Sequence, residues 1–166
     1  MEPKTCIITG ANSGIGKAAA TELVRRGHRV ILACRNIERA ETARREIGGD
    51  SLTAPLDLSQ RASIQTFTDW VRHELGGVDV LINNAADFDL SRTEREMTRD
   101  GFETVWATNH LGPVLLVDRL MDLRAASSQG RIINVSSKGL LLHPFLTVNQ
   151  KDPMFVKRKY SVQKAY

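Results

Sequence analysis

Residues 9–18 read TGANSGIGKA, with glycines at positions 10, 14 and 16 between an apolar run and a stretch of helical character. A glycine motif alone carries little weight. At a strand-to-helix turn it carries much more, because each glycine then has its own task. Gly10 permits a tight turn, Gly14 lets a dinucleotide pyrophosphate approach the backbone, and Gly16 lets the helix pack close to the strands. The amides that open the helix would face the phosphates, with Asn12, Ser13 and Ile15 lining the same turn.

Working outward, apolar runs rich in Ile, Val and Leu recur at 4–9, 29–34, 51–56, 78–83 and 131–136. Stretches of helical period separate them. Ile37, Ala40, Ala43 and Ile47 form one stripe that ends at Gly48-Gly49, and Ile64, Phe67, Val71 and Leu75 form another that ends at Gly76-Gly77. Continuous apolar strands separated by helices predict an α/β fold with a parallel sheet covered on both faces. Right-handed crossovers then favour a Rossmann-like, doubly wound sheet of order 3-2-1-4-5. Residues 137–158 read as a long loop, of the kind that marks a functional segment or missing structure.

The 166 residues fit one domain, so 1–166 is expected to form a single NAD(P)-binding Rossmann domain, incomplete at its C-terminal end. The start, MEPKTCIITG, lacks the regions of a signal peptide, and no apolar run approaches the ~20 residues of a membrane span. A cytoplasmic protein is expected. Cys6 and Cys34 each lie inside an apolar run and read as small buried hydrophobes rather than a disulfide or metal pair. The formal charge of +4 comes from the tail: residues 151–166 hold five of the 23 Lys and Arg but one of the 19 Asp and Glu. Its KRK cluster (157–159) has no interleaved aromatics to stack bases, so no nucleic-acid partner is expected.

Arg35 follows the second apolar run, where an NAD site usually places a carboxylate on the ribose 2′-OH. A cation there suits a 2′-phosphate, so NADP is expected over NAD. Lys17 could assist but reads mainly as surface. Asn109 interrupts a helical stripe of Phe102, Val105, Gly112, Leu116 and Leu120. A buried amide needs partners, and Pro113, four residues on, offers no N–H to the Asn109 carbonyl, which predicts a kink. The histidines at 28, 73, 110 and 143 lack ligand spacing, so no metal is assigned. His28 and His73 read as surface residues near helix ends. No G-x-S-x-G elbow surrounds Ser136 or Ser137, which excludes a serine hydrolase of that type.

TGANSGIG (9–16), LACRN (32–36), LDL (56–58), NNAA (83–86), TNHLGP (108–113) and GRIINVSS (130–137) occur in one order along the chain. Together they resemble the short-chain dehydrogenase/reductase family, in its retinol-dehydrogenase-like and WW-domain-oxidoreductase-like branch. Ala86 departs from the family's commoner glycine. The resemblance implies that Asp57 contacts adenine and Leu58 its face, although Asp57 by itself reads equally as a helix-cap or loop carboxylate. It further implies that Asn84 and Ala85 line the adenosine ribose, that the Asn109 carbonyl holds a relay water, and that Ser137 binds the substrate oxygen.

In the family reaction a hydride moves between a nicotinamide and a carbonyl or alcohol carbon while a tyrosine carries the proton. Free tyrosine titrates near ~10, so the family sets a lysine four residues on to favour the phenolate. Two registers compete here. Tyr160 and Lys164 satisfy the spacing in YSVQK, whereas the retinol-dehydrogenase-like pattern places the role on Tyr166, with its lysine beyond the last residue. The second register is preferred and implies a truncated enzyme. The expected function is NADP-dependent oxidation or reduction of an apolar alcohol or carbonyl compound. The alternative is a non-catalytic nucleotide-binding module with an incomplete proton relay. A homo-oligomer is compatible with the resemblance but doubtful for a truncated form, since the helix cut here belongs to the family's usual dimer contact.

Overall fold

The computed structural model describes residues 2–124, 130–137 and 149–166. Five strands, β1 (Thr5–Thr9), β2 (Arg29–Cys34), β3 (Ser51–Pro55), β4 (Val80–Asn83) and β5 (Arg131–Asn134), form one sheet in the order β3-β2-β1-β4-β5. All four pairings are parallel, with Ile7 opposite Ile31 on one side and Leu81 on the other. The expected topology is therefore observed.

Side-chain alternation along the strands divides the core into two layers. Ile7, Ile31, Ala33 and Leu81 pack with Ile64, Phe67 and Val71 of α3 (Arg61–Leu75) and with Leu116 and Leu120 of α5 (Gly112–Arg124). Cys6, Ile8, Val30, Leu32 and Cys34 face the other way, against Ala20 of α1 (Gly14–Arg25) and Ala40 and Ala43 of α2 (Ile37–Ile47). Small alanines let α1 and α2 lie close to the sheet, while Phe67, Ile64 and Val71 each gain about 1.5–3 kcal/mol by burial. The predicted stripes thus became helices, ending at Gly48 and Gly76. The Asn36 side chain accepts from the Arg39 amide at 2.8 Å and so caps the start of α2.

The region around Asn109 is more complex than a kinked helix. α4 (Thr104–Trp106) runs into a π-helical turn (Ala107–Leu111), and α5 follows without a break. The Gly112 amide bonds to the Ala107 carbonyl, five residues back, so the wider turn absorbs the missing donor of Pro113. Phe102 lies before the helix rather than on its stripe.

Of the expected long loop, residues 138–148 lie outside the described residues; beyond them turns lead to the short helix α6 (Val162–Ala165). Phe155 and Val162 of this tail are buried. No helix among the described residues is long and apolar enough to cross a membrane.

His28 corrects an expectation. It is buried rather than on the surface, because its Nδ1 accepts the Lys4 amide at 3.2 Å. His73 is exposed beside Glu74, and His110 stacks on Trp106 with centroids 4.4 Å apart. His143 lies outside the described residues. Both cysteines are buried, and burial pushes each thiol up, that of Cys6 to about 11.

Candidate active site

Strand order reverses between β1 and β4, and Gly10, Arg35, Asp57 and Asn84 follow the carboxyl ends of β1, β2, β3 and β4. Gly10 continues β1 by donating its amide to the Ala33 carbonyl at 2.8 Å, then turns with φ +67°. A Cβ on Gly10 would lie 3.0 Å from the Ala85 Cα, so β4's exit loop can approach only a glycine. Gly14 also has positive φ (+54°), but a Cβ there would meet nothing within 4 Å. Gly16 is pressed into the turn, where a Cβ would come within 2.8 Å of the Gly10 carbonyl oxygen.

Thr9 ties the two strands together. Its hydroxyl accepts from the amides of Asn84 and Ala85, each at 2.9 Å, and donates to the Ile82 carbonyl at 3.5 Å. Asn84 returns the contact, its Nδ2 donating to the Thr9 carbonyl at 2.9 Å. Ala86, the departure from the family pattern, is exposed, so its methyl is accommodated without packing strain.

Ser13 makes no side-chain cap on α1, in contrast to Asn36 on α2, and α1 has no acidic residue in its first turn. Asn12 is partly buried, while Ser13 and Ile15 are exposed beside it. An uncapped helix start next to open space at Gly14 fits an anionic group such as a pyrophosphate. Arg35 is exposed one residue past β2 and has no salt bridge to another described residue. Lys17 is engaged elsewhere, in an ion pair with Glu46.

Asp57 is bound within its own loop. It accepts from the Ser59 amide at 2.9 Å, the Ser59 hydroxyl at 2.7 Å and the Gln60 side-chain amide at 2.7 Å. Burial alone would raise its carboxyl, but these bonds and the nearby Arg35 charge outweigh it and hold the group below the usual carboxylate range. Leu58 is packed in the core and borders a cavity of about 400 Å³ between α3 and α5. Gly112 sits against it: a Cβ there would lie 2.8 Å from the Leu58 Cβ and closer still to its carbonyl oxygen.

Asn109 finds the partners its burial requires. Its Oδ1 accepts from the Asp87 amide at 2.7 Å and its Nδ2 donates to the Asp87 carbonyl at 2.9 Å. Both ends of the side chain are thus spent on the backbone of one residue, Asp87, which leaves the backbone as the part of Asn109 free of that clamp. Ser137 is exposed three residues past the end of β5.

The tyrosines have opposite surroundings. Tyr160 precedes α6, whose N-cap is Ser161, so Tyr160 lies outside the short helix that carries the exposed Lys164. The Tyr160 hydroxyl donates to Glu103 at 3.2 Å, and burial together with that carboxylate pushes it up to about 12. Tyr166 is 46% exposed, and its ring lies 4.5 Å from that of Phe88, the residue after Asp87. Asn109 and Tyr166 therefore meet the same dipeptide, from two directions.

Sequence reasoning missed Thr9, Asp87, Arg92, Glu103 and Gly112. Thr9 and Gly112 lay inside quoted motifs, where a hydroxyl at a strand end and a glycine within a helix were available signals. Glu103, fully buried, accepts from the amides of Val105 (3.1 Å) and Trp106 (2.8 Å) and caps α4. Asp87 and Arg92 carry no local signal. Among the described residues no group of three or more His, Cys, Asp and Glu is placed to hold a metal ion.

The family model described as short chain dehydrogenase matches residues 4–146. Retinol dehydrogenase 13 of Homo sapiens is 43% identical over 168 residues, covering 98% of this chain and 49% of its own length. Retinol dehydrogenase 14 of Mus musculus is 40% identical over 167 residues, covering 92% of this chain and 48% of its own. The chain thus spans about half the length of these curated relatives. Among solved structures, an uncharacterised protein from Mycobacterium Paratuberculosis superposes with TM-score 0.81 at 37% identity, over 98% of this chain and 56% of that one. A metagenomic short-chain oxidoreductase in complex with NADP gives TM-score 0.72 at 34% identity, over 82% of this chain and 63% of that one.

Proposed function

The chain belongs to the short-chain dehydrogenase family, in its retinol-dehydrogenase-like branch, and from that premise we propose that it serves an NADP-dependent oxidoreductase acting on an apolar alcohol or carbonyl compound. The observation that carries this reading is the uncapped start of α1 beside the open space at Gly14, with the exposed Arg35 cation at the end of the neighbouring strand. In the proposed complex Gly10, Asn12, Ser13, Gly14, Ile15 and Gly16 hold the pyrophosphate, and Arg35 pairs with the 2′-phosphate. Asp57 and Leu58 border the adenine; Asn84 and Ala85 border its ribose. The cofactor, when bound, supplies or accepts the hydride.

The protein's own part is the proton. During reduction the Tyr166 hydroxyl gives its proton to the substrate oxygen while Ser137 hydrogen-bonds that oxygen; oxidation reverses the transfer. Asn109, its side chain committed to Asp87, contributes through its backbone carbonyl, to which Pro113 offers no amide. Tyr166 is preferred to Tyr160 because a hydroxyl held on a carboxylate and pushed up to about 12 is biased against becoming phenolate. The exposed apolar side chains of Phe88 (46%) and Leu90 (64%) in the same loop support an apolar substrate.

Calorimetric titration of residues 1–166 with NADPH and NADH tests the binding. Replacing a phosphate-pairing cation by a carboxylate should weaken NADPH by about 10–100-fold in Arg35→Asp, with NADH changed far less. An unchanged preference would refute the 2′-phosphate assignment. NADPH binding without turnover of a hydrophobic aldehyde would favour a nucleotide-binding module instead.

A further inference from the structure

Arg92 lies on the loop between β4 and α4, and its side chain is only 13% exposed. Its Nη1 donates to the Asp87 Oδ2 at 2.8 Å, and that carboxylate is itself 17% exposed. Its Nε lies 3.4 Å from Glu96, whose carbonyl accepts the Thr104 amide at 2.9 Å at the start of α4. Tyr160 faces Arg92 from the tail. A single guanidinium therefore touches the exit loop of β4, the approach to α4 and the C-terminal segment.

The important branch runs through Asp87. Its side chain is held by Arg92, while its amide and carbonyl hold both ends of Asn109. The next residue, Phe88, stacks on Tyr166. Displacement of the Asp87 backbone would break two hydrogen bonds to Asn109 and tilt the ring beneath Tyr166. The loop lacks helix or strand bonds to prevent this, since residues 84–89 have no regular structure. The ion pair adds a side-chain tie to the backbone bonds that Thr9 and Asn109 make to this loop, and its partial burial makes it costlier to break than a surface pair.

We propose that Arg92 is a positioning residue, which sets Asn109 and the Phe88–Tyr166 pair in place by clamping Asp87. The positioning stands on geometry; only its consequence for turnover rests on the hydride-transfer reading. Arginine suits the task because its planar fork can serve several acceptors at once, whereas lysine offers a point charge.

Nuclear magnetic resonance of the isotopically labelled 166-residue chain reads the clamp directly, through water-exchange rates of the Asn109 side-chain amide and the Asp87 backbone amide. In Arg92→Ala both should exchange about ten-fold faster or more, while the Ile7 and Ile31 amides in β1 and β2 keep their protection. Arg92→Lys should recover part of the difference. Unchanged exchange at Asn109 and Asp87, or a uniform rise across the sheet, would overturn the proposal. Should Arg92→Ala fail to fold, Asp87→Asn removes the charge from the other side and is read in the same way. With NADPH and a hydrophobic aldehyde, kcat should fall in Arg92→Ala with coenzyme affinity unchanged. No turnover in the parent chain would count against the hydride-transfer reading and leave the exchange rates to decide the clamp.

Discussion

Tyr160 and Tyr166 show how little a residue's type and spacing say about its chemistry. Tyr160 carries the i,i+4 lysine that the sequence pattern asks for, yet its hydroxyl caps a network on the fully buried Glu103. Its raised value of about 12 has a consequence for stability. An unfolded tyrosine ionises near ~10, so the neutral form is favoured on folding; this contribution is complete below pH ~10 and is lost as pH rises through about 12. Chemical denaturation of the wild type and Tyr160→Phe should therefore show a stability difference that shrinks across that alkaline window and is flat at neutral pH. A difference that does not change with pH would rule out the Glu103 contact. The spacing in YSVQK was legible, but the contact was not, because Glu103 lies 57 positions away in sequence.

Among the elements, strands and helices with strong period were read nearly to their ends, since continuous Ile, Val and Leu runs and terminal glycines are local signals. The π-helical turn was not. Proline gave notice of a lost bond, but a kink and a widened turn both answer that loss, and the local sequence does not choose between them; the turn observed packs against Leu58. Gly112 is where that packing is tightest. An added methyl there meets backbone rather than a movable side-chain end, at a cost of about 1–3 kcal/mol, offset in part by alanine's helix preference of about 1 kcal/mol. Gly112→Ala should lose up to about 2 kcal/mol by urea unfolding. Equal or greater stability would mean that α5 can shift away from Leu58. The Asp57 loop shows the same limit: its carboxylate was legible as either a cap or a cofactor contact, and its own loop occupies both oxygens.

At the scale of the molecule, topology was legible because parallel strands joined by right-handed crossovers leave few orders open. Burial at the sheet's margins was less so. β3 forms one edge and ends in Pro55, which interrupts further pairing. β5 forms the other, and Ile133 within it and Val135 just past it are each 45% exposed. Such an edge invites association. Light scattering of the 166-residue chain should rise with concentration, and Ile133→Lys should suppress the rise; equal scattering by both would place the adhesive surface elsewhere. The crevice between β1 and β4 behaves differently, because the Thr9 hydroxyl bolts its floor. Its width is settled when the chain folds. An arriving dinucleotide then spends none of its affinity on stiffening that floor, and any closing movement around it falls to the walls.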